Sequence, residues 1–283
     1  MPEGLKNILI VTKADDTKSA ILGKEMTAHL SLSGIEAHCL EHSAETCRDS
    51  FQETRQYDLI LILGGDGTFI AAARWLLSLG TPFMGVNLGR VGFLTQLHRD
   101  HWKAWLSSVI TTGLDVAGRM TLEYEILRGD TLVRSGTAIN DLVVSRGVLA
   151  RLVKLGIAYD GVDLSTFRAD GVIISTPTGS TAYGVSAGGP LLHADLFAYS
   201  VTPICPFLNS FKPLVVPADK ECMVMIAEER GEVSLTVDGQ TSHSLYFGDR
   251  LVIRRCATDL LVVNLGPTAY FEKLKKHGFL TEK

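Results

Sequence analysis

The sequence lacks the marks of several large protein classes. No apolar run approaches the roughly 20 residues needed to cross a bilayer. The apolar stretch nearest the amino terminus, Ile8–Val11, is too short for the core of a secretion signal. Cysteine is scarce: Cys39, Cys47, Cys205, Cys222 and Cys256 are odd in number and include no C-x-x-C spacing. That usage favours free thiols in a reducing compartment over a disulfide framework. No His, Cys and carboxylate cluster has structural-metal spacing. Excess positive charge is also missing, since 27 Lys and Arg against 31 Asp and Glu leave a net charge of −4. Neither nucleic acid nor an anionic membrane is therefore an expected partner. Together these absences predict a cytoplasmic globular protein. Two common nucleotide signatures are absent as well. There is no G-x-x-x-x-G-K-[ST] loop, and Ile70 stands where a dinucleotide fingerprint would need its third glycine.

What is present points to an α/β chain. With 283 residues, 46% of them apolar, the chain has the size of two domains, each able to bury a core. The first hundred residues alternate strand and helix patterns. Asn7–Thr12 is a short apolar run; Asp15, Asp16 and Thr17 offer N-cap chemistry; Ile21, Leu22, Met26 and Leu30 follow at helical spacing. Glu36–Leu40 reads as a second strand, Asp58–Leu63 as a strand buried on both faces, and Pro82–Asn87 as a fourth. This predicts a doubly wound parallel sheet. From Leu122 to Val237 the runs become short and rich in Val, Ile and Thr, with hairpin signals at Gly129-Asp130 and Asp160-Gly161. The expected division is an α/β domain over 1–112, a β-rich domain over 113–258, and a segment 259–283 that returns to the first.

The strongest local signal is Gly64-Gly65-Asp66-Gly67-Thr68, directly after the buried strand. Ligands of open α/β sheets bind beyond the carboxyl ends of strands. Glycines there admit a phosphate, and the following helix offers free N–H groups. A carboxylate in such a loop repels phosphate unless it accepts a proton or meets a cation. The alternative is a tight turn with Asp66 as helix N-cap. A second constellation runs from Arg168-Ala169-Asp170-Gly171 into Ser175–Tyr183, a strand leading to a loop crowded with hydroxyls and glycines. Arg168 and Asp170, two apart on a strand, read as one charged pair facing one way. Gly184-Val185-Ser186-Ala187-Gly188 spells a nucleophile elbow, but a hydrolase needs a strand ending just before the serine, and here a long polar loop intervenes. Asp238 and His243 follow in triad order, which almost any chain would supply. His98-Arg99-Asp100 spells the opening of a protein-kinase catalytic loop, yet Trp105 stands where the asparagine belongs. His193 reads as a packed or hydrogen-bonded histidine.

Four motifs in this order resemble the NAD kinase family: Gly64–Thr68, then Gly85-Val86-Asn87-Leu88-Gly89 with Gly92-Phe93-Leu94, then Asn140-Asp141, then Phe167–Pro190. They span about residues 58 to 240. The first motif is shared with lipid and sugar kinases, whereas the long segment ending in Ser186-Ala187-Gly188-Gly189-Pro190 is specific. The resemblance implies transfer of the γ-phosphoryl of ATP to the 2′-hydroxyl of the adenosine ribose of NAD. It implies an active site between an α/β and a β-rich domain, with Asp66 as proton acceptor. Gly64, Gly65, Gly67 and Thr68 would form the phosphate loop. NAD would be held by Asp66, Gly67, Phe93, Asn140, Asp141, Arg151, Arg168, Asp170, Thr178, Thr181, Ala182, Tyr183, Ser186 and Gln240. Mg²⁺ or another divalent cation would accompany ATP, and the chain would assemble as a homodimer or homotetramer. The sequence departs from the family pattern after Pro206, where Phe207–Lys212 lacks the usual His and Arg, and at Asp141, which replaces the commoner Glu. The competing readings are a lipid or sugar kinase sharing only the Gly-Gly-Asp-Gly-Thr loop, and a non-catalytic dinucleotide-binding sensor.

Overall fold

The computed structural model describes residues 4–43, 55–89, 92–147, 151–209, 211–228, 232–266 and 269–280. Cys47 and Ser210 lie outside them; the four described cysteines are free thiols. The chain divides into two compact units, one of residues 1–118 with 260–283 and one of residues 119–259. The sequence had suggested changes of pattern at 112 and 258.

The first unit begins with β1 (Asn7–Lys13), α1 (Thr17–Leu32), β2 (Glu36–His42), β3 (Leu59–Leu63), α2 (Asp66–Leu76), β4 (Phe83–Asn87), β5 (Leu97–His98), α3 (Trp102–Thr112) and β6 (Val116–Arg119). Asp16 caps α1, its Oδ1 accepting from the backbone N–H groups of Lys18 and Ser19 at 3.0 and 3.3 Å. Leu22, Met26 and Leu30 are buried along one face of α1, but Ile21, expected with them, is 62% exposed, because it falls outside that narrow stripe. All five residues of β3 are buried, as its unbroken apolar run requires. Ile8, Ile10, Leu59, Leu61, Met84 and Val86 share a core with α1 and α3. Phe83, one residue out of phase, meets Phe69 of α2 edge-on, so helices cover both faces of the sheet. Residues 98–100 do not enter a helix: His98 ends β5, and α3 starts only at Trp102.

The second unit is built from β7 (Leu122–Arg128), β8 (Thr131–Ala138), β9 (Asp141–Arg146), β10 (Val153–Tyr159), β11 (Val162–Ala169) and β12 (Gly171–Ser175), then a short helix α4 (Tyr183–Ser186), and then β13 (Ala198–Ile204), β14 (Leu214–Pro217), β15 (Cys222–Ile226), β16 (Val233–Val237), β17 (Thr241–Leu245) and β18 (Arg250–Arg255). Its strands form two six-stranded sheets, in the orders 11-10-15-18-7-8 and 14-13-12-9-16-17. The inward residues of both, among them Leu122, Tyr124, Leu155 and Val224 from one and Leu142, Val144, Ile174 and Leu235 from the other, form one core, which makes this unit a β-sandwich. Two of its hairpins turn on Asp-Gly, at Asp160-Gly161 and Asp238-Gly239; all four residues have positive φ, as the tight hairpin turn demands.

The chain then returns to the first unit as β19 (Leu260–Val263) and α5 (Ala269–Lys276). The first sheet thus has the order 2-1-3-4-19-6, with β5 also on β4. Its β1, β2, β3, β4, β5 and β19 pair in parallel. Among the described residues no helix is long and apolar enough to cross a membrane.

Candidate active site

In the α/β unit the site centres on Asp66. The Gly-rich loop leaves the carboxyl end of β3, and Gly65 with its extended backbone is the N-cap of α2, so Asp66 is the first helical residue. Its side chain caps nothing, which removes the N-cap alternative. The carboxylate instead grips the loop after β4. Oδ2 accepts from the Phe93 N–H at 2.7 Å, while Oδ1 accepts from the N–H groups of Leu94 (3.1 Å) and Thr95 (2.9 Å) and from Thr95 Oγ1 (2.9 Å). Oδ1 is saturated; Oδ2, with one partner, keeps a lone pair for another donor. Gly92 is required here, because a Cβ on it would collide with the Asp66 carboxylate. Asn87 secures the arrangement from below: its Nδ2 donates to Thr95 Oγ1 at 3.1 Å and its Oδ1 accepts from the Gly89 N–H at 2.6 Å. Asn87 and Thr95 are both buried. The role of Thr95 escaped the sequence reading because its bonds to Asp66 join segments 29 residues apart. A Cβ on Gly65 or Gly67 would meet nothing, so the protein's own packing does not call for glycine at either position, and both flank open space. Phe93 lies against His277 and Phe279, with ring centroids 4.5 and 5.8 Å apart.

In the β unit the site centres on Asn140 and Asp141, at the start of β9. A pocket of about 390 Å³ is lined by Asn140, Asp141, Ala182, Tyr183, Asp238 and Gly239 among others; that volume suits a small ligand or part of a larger one. Asn140 Oδ1 and Thr178 Oγ1 are buried without a hydrogen-bond partner among the described residues. A buried polar atom left unpaired is costly, so each marks a place where a ligand would complete the structure. Burial pushes the Asp141 carboxyl up to about 7; the negative charge of Asp238 acts in the same direction and the Tyr183 backbone N–H opposes it. The loop after β12 packs on the same bend. Thr176 Oγ1 donates to the Ile139 carbonyl (2.7 Å) and accepts from the Gly179 N–H (3.0 Å). A Cβ at Gly179 would strike the Asn140 carbonyl.

The remaining candidates fall around this pocket or away from it. Ala182 and Tyr183 line it; Thr181 ends the turn before them and Ser186 ends α4. No strand runs into Ser186, since β12 stops at Ser175. Asp238 is bonded to backbone and His243 Nε2 to Tyr124 Oη, so the elbow reading has no triad behind it. His193 is hydrogen-bonded, as expected, to the Asp195 N–H. Arg168 and Asp170 are not one charged pair. Arg168 makes a bidentate bridge to Glu228 at 2.7 and 2.9 Å, and Asp170 pairs with Arg146 at 2.5 Å. The chain leaves β11 at Ala169, and the turn into β12 carries Asp170 to the end of β9. Arg151 is exposed, and Gln240 closes the Asp238-Gly239 turn through its N–H to Val237.

Comparison with known proteins gives these halves a family. The ATP-NAD kinase N-terminal domain matches residues 8–114 and the ATP-NAD kinase C-terminal domain residues 139–265. An NAD kinase of Nitratidesulfovibrio vulgaris (strain Miyazaki F) is 40% identical over 283 residues, covering 100% of both chains. The chain belongs to the NAD kinase family. A second NAD kinase, from Citrifermentans bemidjiense, is 35% identical and covers 96% of this chain and 97% of its own. Among solved structures, yeast NADH kinase complexed with NADH superimposes with a TM-score of 0.85 at 26% identity, covering 100% of this chain and 90% of that one. An Archaeoglobus fulgidus NAD kinase in complex with ATP shares the fold, with a TM-score of 0.73 at 24% identity, covering 94% of this chain and 96% of that one. The lipid-kinase, sugar-kinase and sensor readings gain nothing from these matches.

Proposed function

We propose that this NAD kinase transfers the γ-phosphoryl of ATP to the 2′-hydroxyl of the adenosine ribose of NAD, yielding NADP. The observation that carries the reading is the Asp66 carboxylate, fixed by four hydrogen bonds in a glycine loop at the end of β3 with one oxygen still able to accept. A hydroxyl is a weak nucleophile, and Oδ2 takes its proton as the new P–O bond forms and the γ-phosphorus separates from the departing ADP. The open space beside Gly65 and Gly67 suits the approach of the triphosphate to backbone N–H groups. On the NAD side, the unpaired Asn140 Oδ1 accepts from the adenine amino group, Asp141 accepts from ribose hydroxyls, and Tyr183, 46% exposed at the pocket, offers its ring for stacking. Gly67, Phe93, Thr178, Thr181, Ala182, Ser186, Gln240, Arg151, Arg168 and Asp170 complete the binding set in this reading. The phosphate loop is Gly64, Gly65, Gly67 and Thr68.

Mg²⁺ or another divalent cation accompanying ATP would neutralise charge on the triphosphate. Among the described residues no cluster of three or more His, Cys, Asp or Glu could cage one. The donor set therefore suits a cation carried by the nucleotide phosphates. The enzyme works in the cytoplasm and self-associates as a homodimer or homotetramer; apolar side chains exposed on the edge strands β8 and β11, namely Leu132, Val133, Val162 and Leu164, support association. The test is incubation with NAD, ATP and Mg²⁺, with the product's phosphorylated position assigned by NMR. NADP is expected; NAD left untouched while a lipid or sugar supplied beside it is phosphorylated would refute the reading.

A further inference from the structure

Asp238 sits in the turn between β16 and β17, 9% exposed, with φ of 51°. Its Oδ1 accepts from the N–H groups of Asn140 (2.7 Å), Ile139 (3.1 Å) and Asp141 (3.1 Å), and its Oδ2 from Ile139 (3.1 Å). On the other side of the same bend, Thr176 binds the carbonyls: its hydroxyl donates to Ile139 at 2.7 Å and its N–H to Asn140 at 2.9 Å. The backbone of 139–141 is thus held at its N–H groups by Asp238 and at the Ile139 and Asn140 carbonyls by Thr176, while the Asp141 carbonyl accepts from the Asp238 N–H at 2.9 Å. Two facing polar side chains at the pocket, Asn140 and Asp141, depend on that bend for their direction.

We propose that Asp238 is a positioning residue for recognition of the adenosine end of NAD, aiming Asn140 and Asp141 through the three N–H groups it holds. This rests on reading the pocket as the adenosine site. A carboxylate is not the obvious choice for such a clamp. Asparagine tolerates positive φ equally well, and its amide oxygen in place of Oδ1 would accept from the same three N–H groups, giving up only the second, Oδ2 contact to Ile139. The aspartate instead puts a negative charge beside a buried carboxyl, which is unfavourable for the apo protein. Its charge makes the Asp141 carboxyl harder to ionise. The groups facing Asp141 are Asp238 from the β16–β17 turn and the Tyr183 N–H from α4, and among the described residues no basic side chain lines the pocket. NAD recognition by the carboxylate form of Asp141 therefore weakens as pH falls through about 7.

The test compares wild type, Asp238→Asn and Asp238→Ala in NADP formation, with NAD and ATP varied separately across pH 5.5 to about 9. Asp238→Asn keeps the clamp and removes the charge, so the acid limb of kcat/KM for NAD moves down by about one pH unit. Asp238→Ala removes the clamp, so the KM for NAD rises about tenfold while that for ATP stays within about twofold. An unmoved acid limb in Asp238→Asn overturns the proposal, and so does an Asp238→Ala enzyme in which both KM values change alike. If the alanine variant does not fold, Asp238→Gly, which suits the positive φ and also removes the clamp, takes its place with the same expected outcome. A wild-type enzyme that forms no NADP counts against the catalytic reading itself; an active wild type with an unshifted Asp238→Asn counts against this proposal only.

Discussion

Asp66 in the α/β unit accepts four hydrogen bonds from three consecutive residues, whereas Asp141 in the β unit is 4% exposed, faces another carboxylate and receives a backbone N–H from Tyr183. The side chains are identical and their surroundings are opposed. Donors clustered on Asp66 fix its direction and leave Oδ2 one open lone pair, the geometry a base needs. Burial beside Asp238 brings Asp141 to the edge of protonation, where a ligand's hydroxyl groups supply what the protein withholds. The account therefore assigns chemistry to the first and recognition to the second.

The sharpest way to break this contrast is Asp66→Asn. An amide cannot take a proton, and kcat should fall by about 10²-fold or more, measured in steady-state NADP formation. Gly92→Ala approaches the same carboxylate from the loop side. Its Cβ runs into Asp66, and a displaced base should lower kcat by about 10- to 100-fold with Asp66 still present. Asp141→Asn sharpens the other half. Because the folded carboxyl titrates above its unfolded value, wild-type stability falls as pH rises from the ordinary carboxyl range to about 7 and stays lower above it. The variant should thus be more stable than wild type at pH 8, by on the order of 1–3 kcal/mol or a few degrees in Tm. That gain should vanish below about pH 4, where both states are protonated, and the KM for NAD should rise. Thermal unfolding at two pH values checks the sign. The smallest effect belongs to Ser186→Ala, which should raise the KM for NAD about two- to tenfold and leave turnover intact; a serine-hydrolase probe should not label Ser186.

The fold was legible where the signal is local. The alternation before residue 100, the buried run of β3 opening into a glycine loop, and the Asp160-Gly161 turn each follow from a few adjacent side chains. Less visible was the return of β19 to β4, which rests on the pairing of Val262 with Phe83, far apart in the chain. The site divides in the same way. Asp66 stands out because a carboxylate among glycines is chemically odd. Asp238 and Thr95 do not, because each gains its importance from a partner supplied by folding: N–H groups about 100 residues away for Asp238, and the Asp66 carboxylate for Thr95. Arg168 misled for the same reason, since sequence proximity suggested Asp170 and folding supplied Glu228.

The most direct measurement is equilibrium binding of NAD, by calorimetry, to folded Asp66→Asn and Asp141→Asn proteins beside wild type. The account predicts that Asp66→Asn binds NAD within about threefold of wild type while forming almost no NADP, and that Asp141→Asn binds it about tenfold more weakly. An Asp66→Asn protein that loses NAD binding, or an Asp141→Asn protein that binds normally and fails only in turnover, would contradict it.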